Sequence, residues 1–196
     1  LAISGGATGL VTISGDVDHL ASLDVVNSAG VLFQGEVGAN TPLALTVSDT
    51  RTGEDITFQD DTHLASFTTN PGQGYAISFG GTSNQVDSFV DFLNTGGLSI
   101  VGTDSVFVGG LRKATGLTEL GGGILTNGAL VDLAATELLA NTTIDTTNTG
   151  ASGAAITLDS IAGAGFTLDL DGGSVGAIAV SGAVNAVSSF TITNSN

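Results

Sequence analysis

The chain has no cysteine, methionine or tryptophan, two prolines, and three cationic side chains, Arg51, Arg112 and Lys113. Without cysteine there is neither a disulfide framework nor a thiolate metal site. Three cations against 19 acids leave a net charge of −16. Such a surface repels phosphate backbones and anionic lipid, so nucleic acid is not an expected partner. No apolar run approaches the roughly 18 residues of a membrane-spanning helix, and no membrane insertion is expected. There is no signal peptide, and together with the missing methionine this reads the 196 residues as a processed product or a piece of a longer chain. Charged residues make up 11% of the sequence, against the usual ~25%. That shortage would suit disorder, but the 41% of hydrophobic residues alternate regularly and can supply a core.

What is present is glycine, 30 residues of it, with abundant Thr, Val, Ala, Leu and Asn. This composition suits short strands and tight turns, whereas in a helix each Gly costs about 1 kcal/mol against Ala. One stretch keeps returning. Val11–Val17 (VTISGDV) is matched by Val31–Val37 (VLFQGEV) and Ile56–Thr62 (ITFQDDT), and more loosely by segments opening at Ile77, Leu98, Ile124, Ile156 and Ile178. Apolar first and third positions describe a strand with one buried face, and the Gly that usually follows marks a turn. A second unit ends in Asn or Asp: Leu23–Asn27, Leu45–Asp49, Val90–Asn94, Ile144–Asn148 and Phe190–Asn194. Strands and turns at a period in the twenties identify a solenoid. An antiparallel sandwich also spaces its strands at about 8–12 residues, but two independent motifs recurring in one phase favour stacked parallel coils.

The expected fold is therefore all-β, a right-handed parallel β-helix of about eight coils, forming one solenoid over 1–196. The coils divide at 10–30, 31–54, 55–74, 75–97, 98–123, 124–153, 154–176 and 177–196. One inward ladder is expected to be Val11, Val31, Ile56, Ile77, Leu98, Ile124, Ile156 and Ile178. The next is Ile13, Phe33, Phe58, Phe79, Ile100, Thr126, Leu158 and Val180, with three stacked phenylalanines. Asn27, Asp49, Asn70 and Asn94 are expected at one corner, in left-handed turns with amides bonded along the stack. Two coils look oversized. One holds Arg112 and Lys113 in an insertion; the other holds 129–139, either a short helix or a third strand with a loop.

The repeated units I/V-T-F/I-x-G-x-V and L-x-V-x-N, spanning nearly the whole chain, resemble the β-helical repeats of large bacterial surface proteins of the filamentous-haemagglutinin and autotransporter-passenger kind. The resemblance is architectural. It implies secretion, an elongated shape and an adhesive or cell-envelope role, with cell-surface glycans among the partners.

Several groups of residues are candidates for chemistry. Polysaccharide-cleaving β-helices need acids and a cation on adjacent coils of one face; here the close cations are Arg112 and Lys113, with Asp104 and Glu119 nearby. His19 and His63 recur in His-Leu-Ala-Ser contexts and read as repeated turn residues. Asp16, Glu36 and Asp61 hold one position in three successive coils, so their carboxylates would stack about 5 Å apart and repel by ~0.8 kcal/mol in water. A calcium ion would relieve that repulsion with suitable oxygen ligands, and Asp18, Asp60, Asp169 and Asp171 could contribute similarly. Thr142, Thr143, Thr146, Thr147, Thr191 and Thr193 are too scattered for a flat ice-binding row. The reading is a structural segment of an extracellular fibre or adhesin, with no catalytic residues and calcium as the only candidate cofactor. Its expected partners are flanking coils or further copies joined end to end, because strand-like residues stand at both extremes. A polysaccharide-active enzyme or carbohydrate-binding module on the same scaffold is the alternative.

Overall fold

In the computed structural model, which describes residues 1–196, the chain is a β-solenoid of about nine turns. Twenty-two short strands form a ten-stranded and a twelve-stranded sheet, and Asn148–Gly150 is the one helical turn, of the 3-10 type. Each strand pairs in parallel with its equivalent one turn later: Val11 with Val31, Val31 with Ile56, Ile56 with Ile77 and Ile77 with Leu98. Every turn rests on the one before because a short strand with one apolar face cannot bury that face alone.

Three runs of pairing wrap the axis. The first face includes Ser22–Asn27, Leu43–Val47, Val90–Asp91, Ile156–Leu158 and Ile178–Val180. The second carries Val31–Phe33, Asp55–Phe58, Ala76–Phe79 and Leu98–Ile100, and the third Ser83–Val86, Asp104–Phe107, Thr142–Asp145, Thr167–Asp171 and Ser189–Asn194. Long strands bend around corners and join the runs. Thr62–Thr69 pairs with Ser83–Val86 through its first half and with Leu43–Val47 through its second. Leu111–Leu120 and Val131–Leu138 link the first and second faces in the same way.

The expected ladders hold through Leu98 and Ile100 and then depart. The residue above Leu98 is Thr118, followed by Thr136 and Ile161. Ile124 instead lies on the third face, between Ser105 and Ile144. Above Ile100 come Leu120 and Leu138, not Thr126. Ile156, Leu158, Ile178 and Val180 belong to the first face, above Val131 and Leu133. The expected coils 98–123 and 124–153 are thus part of a run of shorter turns. Neither region is an insertion: Arg112 and Lys113 lie in a regular strand, and so does most of 129–139.

The core is one column of 33 buried apolar side chains. Phe33, Phe58 and Phe79 stack as expected, with ring centroids 4.9 and 5.0 Å apart and planes within 5° and 7° of parallel. Strand spacing of about 4.8 Å imposes that offset stack. Phe67, Phe92 and Phe107 meet the column edge-on from the other two faces. At the corner, the left-handed residues are Gly30, Gly53 and Gly72, a few positions beyond Asn27, Asp49 and Asn70. The amides bond backwards to the preceding coil's backbone: Asn70 donates to the Ser48 carbonyl and Asn94 to the Tyr75 carbonyl.

Candidate functional site

The third face carries the acidic row. Val17 bridges to Val37 and Val37 to Thr62, so Asp16, Glu36 and Asp61, one residue earlier in each case, occupy the same position on successive coils. Alternation turns Val37 and Thr62 inward and leaves the acids and His63 outward. A shallow groove of about 230 Å³ lies over this region, lined among others by Glu36, Asp61, His63, Ser83 and Gln85. Gly38, between the lining residues Val37 and Ala39, has φ 77°, and a Cβ there would collide with the His63 carbonyl. His63 Nε2 lies 3.1 Å from Asp87 Oδ1, which also accepts from Gln85 at 2.6 Å.

The carboxylates do not face one another. Asp16 Oδ1 accepts the Glu36 N–H at 3.1 Å. Asp61 Oδ1 accepts the Ser83 N–H at 2.9 Å and the Thr82 hydroxyl at 3.0 Å. No group of three His, Asp or Glu side chains converges as a metal-holding set. A pattern runs through these bonds. Asp16, Asp18, Asp24, Asp61, Asp159, Asp169 and Asp171 each accept from a donor 20 to 24 residues further on, one coil later. These seven acids tie their coil to the next one, whereas Asp87 and Asp132 reach back to His63 and Arg112 on the coil before. Asp18 is the most fully bonded, to the Asn40 side chain and to the N–H groups of His19, Asn40 and Thr41. The Asn40 bond leads in holding its carboxyl down at about 2. Asp60 accepts only the neighbouring Asp61 N–H.

The residues that an enzyme reading needs are held apart. Arg112 points outward on the first face between Asp91 and Asp132, with Nη1 3.9 Å from Asp91 Oδ2 and Nε 3.4 Å from Asp132 Oδ2. Exposed pairs of this kind contribute about 0–1 kcal/mol each. Lys113, the next residue, points into the core. Glu119 lies on the second face and Asp104 on the third. His19 occupies a left-handed turn with φ 54° beside Asp18, whereas His63 is in a strand, and neither bonds a hydroxyl. Of the threonines, Thr142 and Thr146 are buried, and Thr143 and Thr191 are separated by Asp169.

Sequence reasoning missed several polar groups buried inside the stack. Lys113 is fully buried in register with Leu133, and its ammonium donates to the Asn94 backbone carbonyl on the preceding coil. Burial pulls its ammonium down to about 8, partly opposed by the charge of Asp91. Asn94 is also fully buried, with Oδ1 unbonded, and the Tyr75 hydroxyl and Thr118 Oγ1 lack partners on neighbouring coils. Burial pushes the Tyr75 hydroxyl up to about 12. The only sequence signal was alternation, which places Lys113 inward two positions after Leu111.

No protein-family model, curated protein or solved structure matches this chain.

Proposed function

We propose that the chain is a structural β-solenoid segment of an extracellular bacterial fibre, adhesin or cell-surface filament, joined end to end with further coils. The observation that carries this reading is the unbroken parallel stacking of like strands on one apolar column, a form that further coils extend in the same register. Ser189–Asn194 pairs with Thr167–Asp171 along one side only. Its core-facing residues Phe190 and Ile192 stack on Leu168 and Leu170 yet are 40% and 48% exposed. An unpaired strand edge beside an uncovered apolar ladder is a template for more strand, and natural solenoids cover such ends. Flanking coils of the same polypeptide or a second copy stacked head to tail would supply the cover. Stacking of copies is heterologous, which builds open filaments when the rotation does not close. Electron microscopy and light scattering on the 196-residue chain are expected to show end-to-end assembly. A monodisperse monomer at high concentration, with no precursor coils on either side, ends this reading.

Calcium on the acidic row is a second proposal, supported by the register of Asp16, Glu36 and Asp61. Asp16 and Asp61 hold their N–H groups through Oδ1, which leaves Oδ2 of each for an ion. Calcium is expected to raise the melting temperature by binding the native state alone, and Asn at all three positions to remove that response. An unchanged melting temperature on adding calcium rules the site out.

A further inference from the structure

The outward row of the third face is interrupted at one place. In register it runs Ser83, Asp104, Gly123, Thr143 and Asp169, and Gly123 is the member with no side chain. The gap between Asp104 and Thr143 spans two coil spacings, roughly 9.6 Å. A groove of about 510 Å³ opens there, lined among others by Gly121–Gly123, Leu125 and Ala140. Packing accounts for two of these glycines. A Cβ at Gly122 would lie 2.1 Å from the Gly102 carbonyl oxygen, and one at Gly121 would press on Val101 at 3.0 Å. Gly123 is different: its φ is not left-handed, and a Cβ there would meet nothing closer than the Thr103 carbonyl oxygen at 3.3 Å. Its strand pairs with Asp104–Phe107 and Thr142–Asp145 without a bulge. A glycine inside a strand that does not bulge marks a place where something comes close to the backbone.

The polar groups around the gap are free to bind. The Asp104 carboxylate and the Thr143 hydroxyl are exposed and hydrogen-bond nothing in the protein. Asn141 is held in place: its Oδ1 accepts the Thr167 N–H at 3.0 Å, which leaves both Nδ2 donors unused. At the corner beside Gly121, Val101 and Leu139 are exposed. The groove thus offers an acceptor, a donor and a hydroxyl around a floor of CH groups. An acidic ligand is repelled by Asp104, and by Asp145 and Asp169 on the two coils that follow. An extended peptide finds no free sheet edge, because the main chain here pairs with the coils before and after. A metal ion finds a single carboxylate. What matches is a molecule with an apolar CH face and a rim of hydroxyls. We propose that this groove binds a neutral oligosaccharide, with a pyranose ring lying flat over Gly121–Gly123 and its hydroxyls on Asp104, Asn141 and Thr143. No aromatic ring lines the groove to stack on the sugar, so binding is weak and exchange is fast. The inference does not rest on the fibre reading.

Nuclear magnetic resonance on the full chain tests it, with cellotetraose, maltotetraose and mannotetraose as neutral probes and tetragalacturonate as the acidic control. At least one neutral probe is expected to shift the Asn141 side-chain amide and the Gly121–Gly123 amides together and saturably, while the acidic probe leaves them in place. Gly123→Val fills the gap with a side chain suited to a strand, and is expected to abolish the shifts with circular dichroism unchanged. Thr143→Val keeps the shape and removes the hydroxyl, and is expected to weaken binding about fivefold, the worth of one hydrogen bond. The proposal is overturned if no neutral probe shifts these amides, if the acidic probe binds as tightly, or if the shifts survive Gly123→Val. Should Gly123→Val fail to fold, unchanged affinity in Thr143→Val overturns it alone. A short uncharged peptide that shifts the same amides where the sugars do not assigns the groove to peptide instead.

Discussion

At the scale of single residues, the interior lysine makes stability depend on pH in an uncommon direction. Lys113 titrates at about 8 when folded and near 10.4 when unfolded. Between those values the unfolded state binds more protons, so stability rises with pH through that window. The gain is on the order of 3 kcal/mol, because each tenfold change in proton affinity is worth about 1.4 kcal/mol. Tyr75 acts oppositely, but only above its usual value near 10, because its folded form holds the proton to about 12. Denaturant titrations from about pH 7.5 to 9.5 isolate the lysine. Lys113→Met is expected to flatten that slope and to be more stable at neutral pH by about 1–4 kcal/mol; a slope that survives the substitution assigns it to another group. Asp18 follows the usual carboxylate sense: its stabilisation is complete above the ordinary carboxyl range and is lost as pH falls through about 2. Asp18→Asn replaces an acceptor with a donor opposite the Asn40 amide, and a lower melting temperature with a weaker acid dependence checks this.

At the scale of the strand, what matters is which residues stand above one another. Phe58 is sandwiched between Phe33 and Phe79 and touched edge-on by Phe67. Phe58→Ala is expected to cost about 3–5 kcal/mol, and Phe58→Asp to prevent folding by burying an unpaired charge. A wild-type melting curve for the aspartate variant would mean that this column is not packed as described. The column was legible in the sequence because bulky apolar residues repeat at alternate positions just before a turn in three successive coils. The turn at 118–135 was not. Thr118 and Thr136 stand at core positions of the second face, where a search for apolar residues passes over them, and Ile124 offers an apolar match on the wrong face. Thr126 stood in for Leu120 by the same displacement. The register of Asp16, Glu36 and Asp61 could be read from spacing, but the direction of their carboxylates could not, because it depends on which N–H and hydroxyl groups the following coil offers. Lys113 was hidden by its type, since lysine is almost never fully buried without a partner.

For the whole molecule, the proposed end-to-end assembly puts the exposed apolar residues of Ser189–Asn194 at the contact. Phe190→Asp combined with Ile192→Asp is expected to leave the earlier coils folded while abolishing end-to-end assembly; sedimentation and circular dichroism read the two effects separately. Filaments that persist in the double variant would place the contact elsewhere. The forward reach of the aspartates has a different consequence, one that concerns repair. At the junctions those seven aspartates span, the carboxylate stands on the N-terminal side and its N–H, hydroxyl or amide donor on the C-terminal side, so a cut there leaves two side-chain surfaces that are unlike. Two acceptor surfaces meeting would set acid against acid, whereas an acceptor and a donor surface restore the bonds that were broken. A nicked rod therefore carries its own instructions for mending. Its pieces can rejoin in the sense in which they were synthesised, and a reversed piece finds no match.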